Sequence, residues 1–309
     1  MERFKKVLFF ADPTGTNDTA LNRALDLAEH QGARLTVVDV VEPIPEGVGH
    51  LLRNWNSEKL GRVIREERAE ELELLAERAR ERNLRTEVRV LTGSPFLEVI
   101  REVLRGGHDL LIKGTTPAPG LDSTDMHLMR KCPIPLWVIR GQYGTAPFRI
   151  LAAVDPDPES PADLNHKILD LAHSLALREG AELHAVHAWH VAGEHILRSG
   201  RAQMPTNEVE AVMSGVEQSH RRWLDDLLAG YARRKVRAVP HLLHGDPADA
   251  ITDFATEQEV DLIVMGTVAR TGLAGFFIGN TAETVLEKAD CSVLAVKPDG
   301  FRTPVILTG

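Results

Sequence analysis

Residues 260–297 read V-D-L-I-V-M-G-T-V-A-R-T-G-L-A-G-F-F-I-G-N-T-A-E-T-V-L-E-K-A-D-C-S-V-L-A-V-K. The short apolar run Asp261–Met265 has the composition of a strand buried on both faces. Gly266 ends it, and a glycine-rich loop follows through Gly272, Gly275 and Gly279. Asn280 and Thr281 offer N-cap oxygens to a helix running to about Lys288. Ser292–Lys297 reads as a second buried strand. A strand, a glycine-rich loop and a helix start are the parts of a phosphate cradle: backbone N–H groups face the loop, and the helix dipole favours an anion. Glycine-rich turns also follow parallel strands in proteins that hold no ligand.

The stretch is half of a repeat. Lys6–Ala11 matches Arg149–Val154, and both runs end in Asp-Pro. Leu25–Ala28 recurs as Leu169–Ala172, and Gly32-Ala33-Arg34-Leu35 as Gly180-Ala181-Glu182-Leu183. Gly93-Ser94-Pro95 recurs as Gly245-Asp246-Pro247, His108–Ile112 as Val260–Val264, and Pro135–Arg140 as Ser292–Lys297. Six matches in one order mean a duplicated domain. Gly141–Phe148 is the linker between a domain at 1–141 and a domain at 148–309.

Each half alternates strands with helices, which implies α/β architecture: a five-stranded parallel sheet with helices on both faces. Strands are expected near 6–11, 34–41, 86–91, 109–113 and 135–140, then near 149–154, 182–188, 237–243, 261–265 and 292–297. Glu58–Arg82 reads as a long helix with Leu60, Ile64, Leu72, Leu75 and Ala79 inward and its charges on a solvated face. Its counterpart, about Glu208–Arg234, puts Val212, Val216, Trp223, Leu227 and Leu228 inward. Glu42–Asn56 and Trp189–Asn207 are long irregular stretches of the kind that serve as lids.

Gly266-x-x-Ala269-x9-Gly279-Asn280 resembles the nucleotide loop of the universal stress protein family. That pattern is glycine, two residues, glycine, nine residues, glycine, then serine or threonine. Ala269 stands at the second glycine, where a Cβ restricts the approach of a phosphate. Asn280 stands at the hydroxyl residue. The wording G-T-V-A-R-T-G-…-G-N-T-A-E is most similar to the tandem-domain, E-type subgroup, and the resemblance spans almost the whole chain. It implies two tandem Rossmann-like domains of the adenine nucleotide alpha hydrolase-like kind. It also implies ATP or a related nucleotide in the second half alone, held by Asp155, Ala188, Gly266, Thr267, Ala269, Gly279, Asn280 and Thr281. Single domains of that family commonly pair through the last strand. Pro135–Arg140 and Ser292–Lys297 are therefore expected to pair as an internal pseudo-dimer, with a homodimer as the further assembly.

Ligands of open α/β sheets sit at the carboxyl ends of the strands. Asp155, His187, Ala188 and Gly266 all fall at such ends. Asp155 matches the family's nucleoside aspartate; an Asp-Pro in that place also makes an Asx-turn on its own. In the first half the loop reads Gly114-Thr-Thr-Pro-Ala-Pro-Gly120, and Pro117 and Pro119 remove backbone donors that a phosphate needs. That half is expected not to bind ATP in the family's manner. His127, in the E-type wording Asp125-Met-His-Leu128, is read as a helix-surface or capping histidine.

The chain has 309 residues, 26% of them charged and 43% hydrophobic, with a net charge of −9. These values suit two globular domains and argue against a nucleic-acid binder, which needs clustered Lys and Arg. No apolar run reaches the length of a membrane span, and polar Met1–Lys6 leads straight into a strand, without the pattern of a signal peptide. Cys132 and Cys291 suit a reducing compartment, so a cytoplasmic location is expected.

Nine of the thirteen histidines lie in the second half. Alternation puts His184 and His187 on opposite faces of one strand, so they cannot share a metal; His187 with His241 or His244 is a weak zinc set. No Walker motif, nucleophile elbow, His-Glu-x-x-His or CxxC is present, and no catalytic residue is assigned. The leading expectation is a non-enzymatic stress-response protein with a nucleotide-sensing second half. A weak ATP hydrolase using the same crevice, and a nucleotide-independent scaffold for a protein or lipid-like ligand, are the alternatives.

Overall fold

The computed structural model describes residues 4–13, 17–45, 57–115, 122–141, 148–160, 162–199, 204–267 and 279–307. They form two compact units. One comprises Met1–Gln142 with Phe301–Gly309, and the other Tyr143–Gly300. The tail from Phe301, which the repeat alone assigns to the second half, groups with the first, where Arg101 Nε donates to Ile306 O at 3.3 Å.

The first unit runs β1 (Lys6–Phe10), α1 (Asn17–Gln31), β2 (Arg34–Val41), α2 (Ser57–Glu81), β3 (Thr86–Thr92), α3 (Pro95–Gly106), β4 (Leu110–Gly114), α4 (Ser123–Lys131) and β5 (Leu136–Ile139). The second runs β6 (Arg149–Ala153), α5 (Ala162–Glu179), β7 (Glu182–Trp189), α6 (Glu194–Arg198), α7 (Thr206–Ala229), β8 (Ala238–His244), α8 (Pro247–Glu257), β9 (Leu262–Gly266), α9 (Asn280–Lys288) and β10 (Ser292–Val296). The ten expected strands are present to within a residue or so at each end.

Within the first unit the sheet order is β3-β2-β1-β4-β5, and within the second β8-β7-β6-β9-β10. Every pairing inside each unit is parallel. The two orders are one order, as duplication requires. Strands β4, β5 and β10 are buried at every position, whereas β3 and β8, each at one end of its order, expose much of theirs. This is why the buried runs read as continuously apolar and the runs of β3 and β8 do not.

The repeated glycines have a backbone cause. Gly93 and Gly245 sit at φ 146 and 137, and Gly32 and Gly180 at φ 61 and 64, in each case a conformation that a Cβ disfavours. After Gly93 and Gly245 the helices start alike, with Ser94 or Asp246 as N-cap and proline in the first turn.

Two helix faces differ in detail from their expected stripes. In α2, Leu72 and Ala79 are buried as expected, joined by Gly61 and Ala76, while Leu60, Ile64 and Leu75 are half-buried. Its charge run is not wholly solvated. Arg68 turns inward to the carboxylate of Asp39, which is 2% exposed, and donates to Ala11 O. In α7 the buried residues are Val209, Met213 and Leu224, and Val212 is 41% exposed. The stripe is turned by one residue because Met213 packs with Trp189 and Val209 in one apolar cluster. Of the two long loops, residues 46–56 and 200–203 lie outside the described residues, and α6 occupies part of the second. Cys132 is buried and Cys291 half-buried, and neither is in a disulfide.

Candidate functional site

At the carboxyl ends of β6, β7 and β9 the second unit has a cleft of about 530 Å³. Asp155, Ala188, Gly266, Gly279, Asn280 and Thr281 all line it. The crevice expected from topology therefore exists, and it gathers six of the eight site residues read from the sequence. Thr267 does not line it. This residue is fully buried, its N–H donates to Val296 O at 3.2 Å, and its hydroxyl accepts from the ammonium of Lys297. Ala269 lies outside the described residues, as do Gly272 and Gly275.

Asp155 is held by α5. Its N–H donates to Asn165 Oδ1 at 2.8 Å, and Asn165 Nδ2 donates back to Asp155 O at 2.7 Å. Its carboxylate accepts from Ser160 Oγ at 2.6 Å. The Asx-turn of this corner belongs instead to Asp157, whose Oδ1 accepts from Glu159 N at 2.9 Å. Asp155 is thus a fixed acceptor at the cleft wall.

Gly266 has a packing reason to be glycine. A Cβ there would meet Leu164 Cδ2 of α5 at 2.6 Å, so α5 lies close over the end of β9. On the same cleft as Asp155, the N-cap of α9 is Gly279, not Asn280. Gly279 has no side-chain oxygen, and among the described residues no side-chain cap is made at the start of α9. Asn280 is the first helical residue and is exposed. This corrects the capping expected of Asn280 and Thr281: extended backbone at Gly279 places both one position too late to cap. The uncapped helix end faces the cleft through Gly279, Asn280 and Thr281.

The remaining wall has one sign of charge. Asp155, Asp157 and Asp246 line it, and no lysine or arginine is among the described lining residues. Among the described lining residues, the features that suit a phosphate are the backbone N–H groups and dipole at the start of α9. His220 of α7 also lines the cleft, in line behind it with His187. His187 Nδ1 lies 3.2 Å from Val154 O and its Nε2 2.8 Å from His220 Nδ1. A carbonyl only accepts, so in the neutral pair His187 Nδ1–H donates to Val154 O, and His220 Nδ1–H donates to His187 Nε2.

His184 points to the other face of β7, as alternation requires, with Nδ1 3.0 Å from His241 Nε2 and both rings against Phe254. Burial pushes both histidines below their ordinary pKa, aided at His241 by the charge of His184. His187 does not meet His241 or His244, and His244 binds Glu194 at 2.9 Å. Among the described residues no group of three or more His, Cys, Asp or Glu could hold a metal ion.

Ser160, Asn165, Trp189, Asp246 and His220 belong to the site but were not singled out by the sequence. Asp246 was visible as a repeat position; Asn165 and His220 come from helix faces whose rotation no motif fixes, Trp189 from the end of β7 and Ser160 from the bend before α5.

The equivalent corner of the first unit is closed from within. Lys113, at the end of β4, is wholly buried, with Asp12 Oδ2 at 3.0 Å, Asp122 Oδ2 at 3.7 Å and the carboxylate of Asp125 in contact. Thr115 Oγ1 donates to Asp125 Oδ2 at 2.8 Å. Asp122 caps α4 by accepting from Asp125 N at 2.7 Å. Burial raises the Asp125 pKa against the pull of Lys113, while the surrounding carboxylates raise that of Lys113 against burial. Where α9 is open, α4 carries its own anion. Pro117 and Pro119 lie outside the described residues.

The model of the universal stress protein family matches residues 3–140 and again 148–297. The chain belongs to the universal stress protein family. It is 29% identical to universal stress protein E of Salmonella typhi, over 99% of this chain and 98% of that one. It is 27% identical to the universal stress protein E homolog of Haemophilus influenzae, over 96% and 98%. Among solved structures, a functionally unknown protein from Pseudomonas aeruginosa PAO1 superposes with a TM-score of 0.73 at 23% identity, covering 97% of this chain and 95% of that one. A universal stress protein from Archaeoglobus fulgidus superposes with a TM-score of 0.62 at 17% identity, covering 94% and 98%. These likenesses extend the tandem universal stress architecture over both units. Among the described residues no helix is long and apolar enough to cross a membrane.

Proposed function

We propose that this tandem universal stress protein acts in the bacterial stress response by holding a nucleotide, or a related phosphate-bearing ligand, in its second unit. The observation that carries this reading is the pairing of an uncapped α9 N-terminus with a fixed Asp155 across one cleft. The helix end favours the anionic part of a ligand, and the carboxylate accepts from its hydroxyls. The first unit, whose corner Lys113, Asp122 and Asp125 fill, serves as a structural counterpart. The role is one of binding, in the cytoplasm, without turnover. Its stress-response part rests on the names of the relatives above.

Calorimetric titration with ATP, ADP and AMP, with and without Mg²⁺, tests the reading. Saturable binding of one equivalent is expected, weakened at least tenfold by Asp155→Ala, with phosphate release no faster than in that variant. A flat response to all three nucleotides would leave only a scaffold role. Release above the variant would instead make the protein a hydrolase.

A further inference from the structure

The first unit has a second cleft, of about 510 Å³, at the opposite, amino ends of β1, β2 and β3. Lys6 is in register with Arg34, and Leu35 with Thr86, so Arg85 comes beside Arg34. Three cations thus stand in a row on adjacent strands, which sheet pairing disfavours in the absence of an acid between them. Glu87 does not serve, since it binds Arg89 at 3.0 Å. Lys6 Nζ donates to Gly106 O at 2.9 Å. Arg34 and Arg85 are exposed, and their guanidinium groups meet no hydrogen-bond or ion-pair partner among the described residues. His108, which is 8% exposed, lines the same cleft, and its Nδ1 has no hydrogen-bond partner.

Duplication supplies an internal comparison. The same three positions in the second unit are Arg149, Glu182 and Arg237: Arg149 pairs with Glu182 in register, and Leu183 with Ala238. There the middle position is an acid, 3.4 Å from Arg149 Nε. The second unit neutralises this row with its own carboxylate, and the first leaves the place open.

We propose that the Lys6–Arg34–Arg85 row is an anion site for a compact phosphate-bearing ligand, separate from the nucleotide cleft. Two unpaired guanidinium groups side by side suit the fork geometry of a phosphate dianion. The ligand takes the place that Glu182 fills in the second unit.

Titration of the full chain with inorganic pyrophosphate at low ionic strength tests this, with ATP as a second arm. Saturable pyrophosphate binding is expected, weakening as salt is added. Arg34→Glu copies the second unit's own arrangement and should lower affinity at least tenfold, with an unchanged circular dichroism spectrum. Arg34→Lys should stay within a few-fold of the native chain. Asn280→Asp places a carboxylate at the start of α9; it should weaken ATP binding in the other cleft and leave pyrophosphate binding intact. Absence of saturable pyrophosphate binding overturns the proposal, as does binding that Arg34→Glu leaves unchanged or that Asn280→Asp removes. Neither result bears on the nucleotide cleft, which the ATP arm reads separately.

Discussion

Asn165 grips Asp155 by both backbone groups, accepting from its N–H at 2.8 Å and donating to its carbonyl at 2.7 Å. Asn165 is 5% exposed, so neither bond is easily replaced by water. Asn165→Ala leaves both Asp155 groups without that partner and should cost about 2–3 kcal/mol of stability. It should also weaken nucleotide binding by releasing the Asp155 carboxylate from its place. Urea unfolding and calorimetry on the same variant check the two effects together.

Gly266 and Leu164 form a second coupled pair. Gly266→Ala puts a methyl group 2.6 Å from Leu164 Cδ2 and should destabilise by about 1–3 kcal/mol through overpacking. In a double-mutant cycle, Leu164→Ala should recover part of that loss, giving a coupling of about 0.5–3 kcal/mol. Strict additivity would show that the glycine is there for another reason.

Glu259 holds φ 49 at the place where Gly107, in the first unit, holds φ 61. Both end the helix before a buried strand, but only one is a residue suited to that conformation. Glu259→Gly should relieve about 1 kcal/mol of backbone strain. It removes a 3.2 Å ion pair with Arg149 in which Glu259 is 84% exposed, a contact of little worth. A raised melting temperature is expected by calorimetric scanning.

The second unit should be acid-sensitive. His173, His184 and His241 all have pKa values lowered from 6.5, by burial first. The unfolded chain then binds more protons than the folded one between 6.5 and the lower folded values, so stability falls as pH falls through that window. Above pH about 6.5 the contribution is flat, because both states are neutral. Urea unfolding from pH 7.5 to 5 should show this slope, and His241→Gln should reduce it.

Lys113 gives the opposite test in the first unit. Its raised pKa means stability present below its ordinary 10.5 and lost as pH rises through the folded value. Lys113→Met strands buried carboxylates at Asp12 and Asp125 and should cost about 3–5 kcal/mol. Lys113→Met combined with Asp125→Asn should cost less than that single change.

The strands were legible because their central runs are buried on both faces and must be apolar throughout. The duplication was legible because glycines at φ 137 to 146 and at φ 61 to 64 tolerate no other residue well, so both copies carry them. What escaped the sequence depends on contacts across elements. His184 meets His241 diagonally, because His184 registers with Val239 and His241 lies two further along the same face. Thr267 looked available for a ligand, but Lys297, from the end of a different strand, takes its hydroxyl. Lys113 falls in the strand expected near 109–113, where nothing in the sequence marks it as buried; its partners are Asp12 after β1 and Asp122 and Asp125 at the start of α4.

Asp122 at the start of α4 has a consequence beyond its own unit. A side chain that substitutes for a bound anion is always present at full occupancy, whatever the cell contains. The start of α9 has no such side chain at Gly279, and on the binding role proposed above its unit would gain stability only as the ligand concentration rises above its dissociation constant. Under the proposed function the α4 corner is therefore indifferent to metabolic state while the α9 corner tracks it, so the contrast between the two corners would read supply.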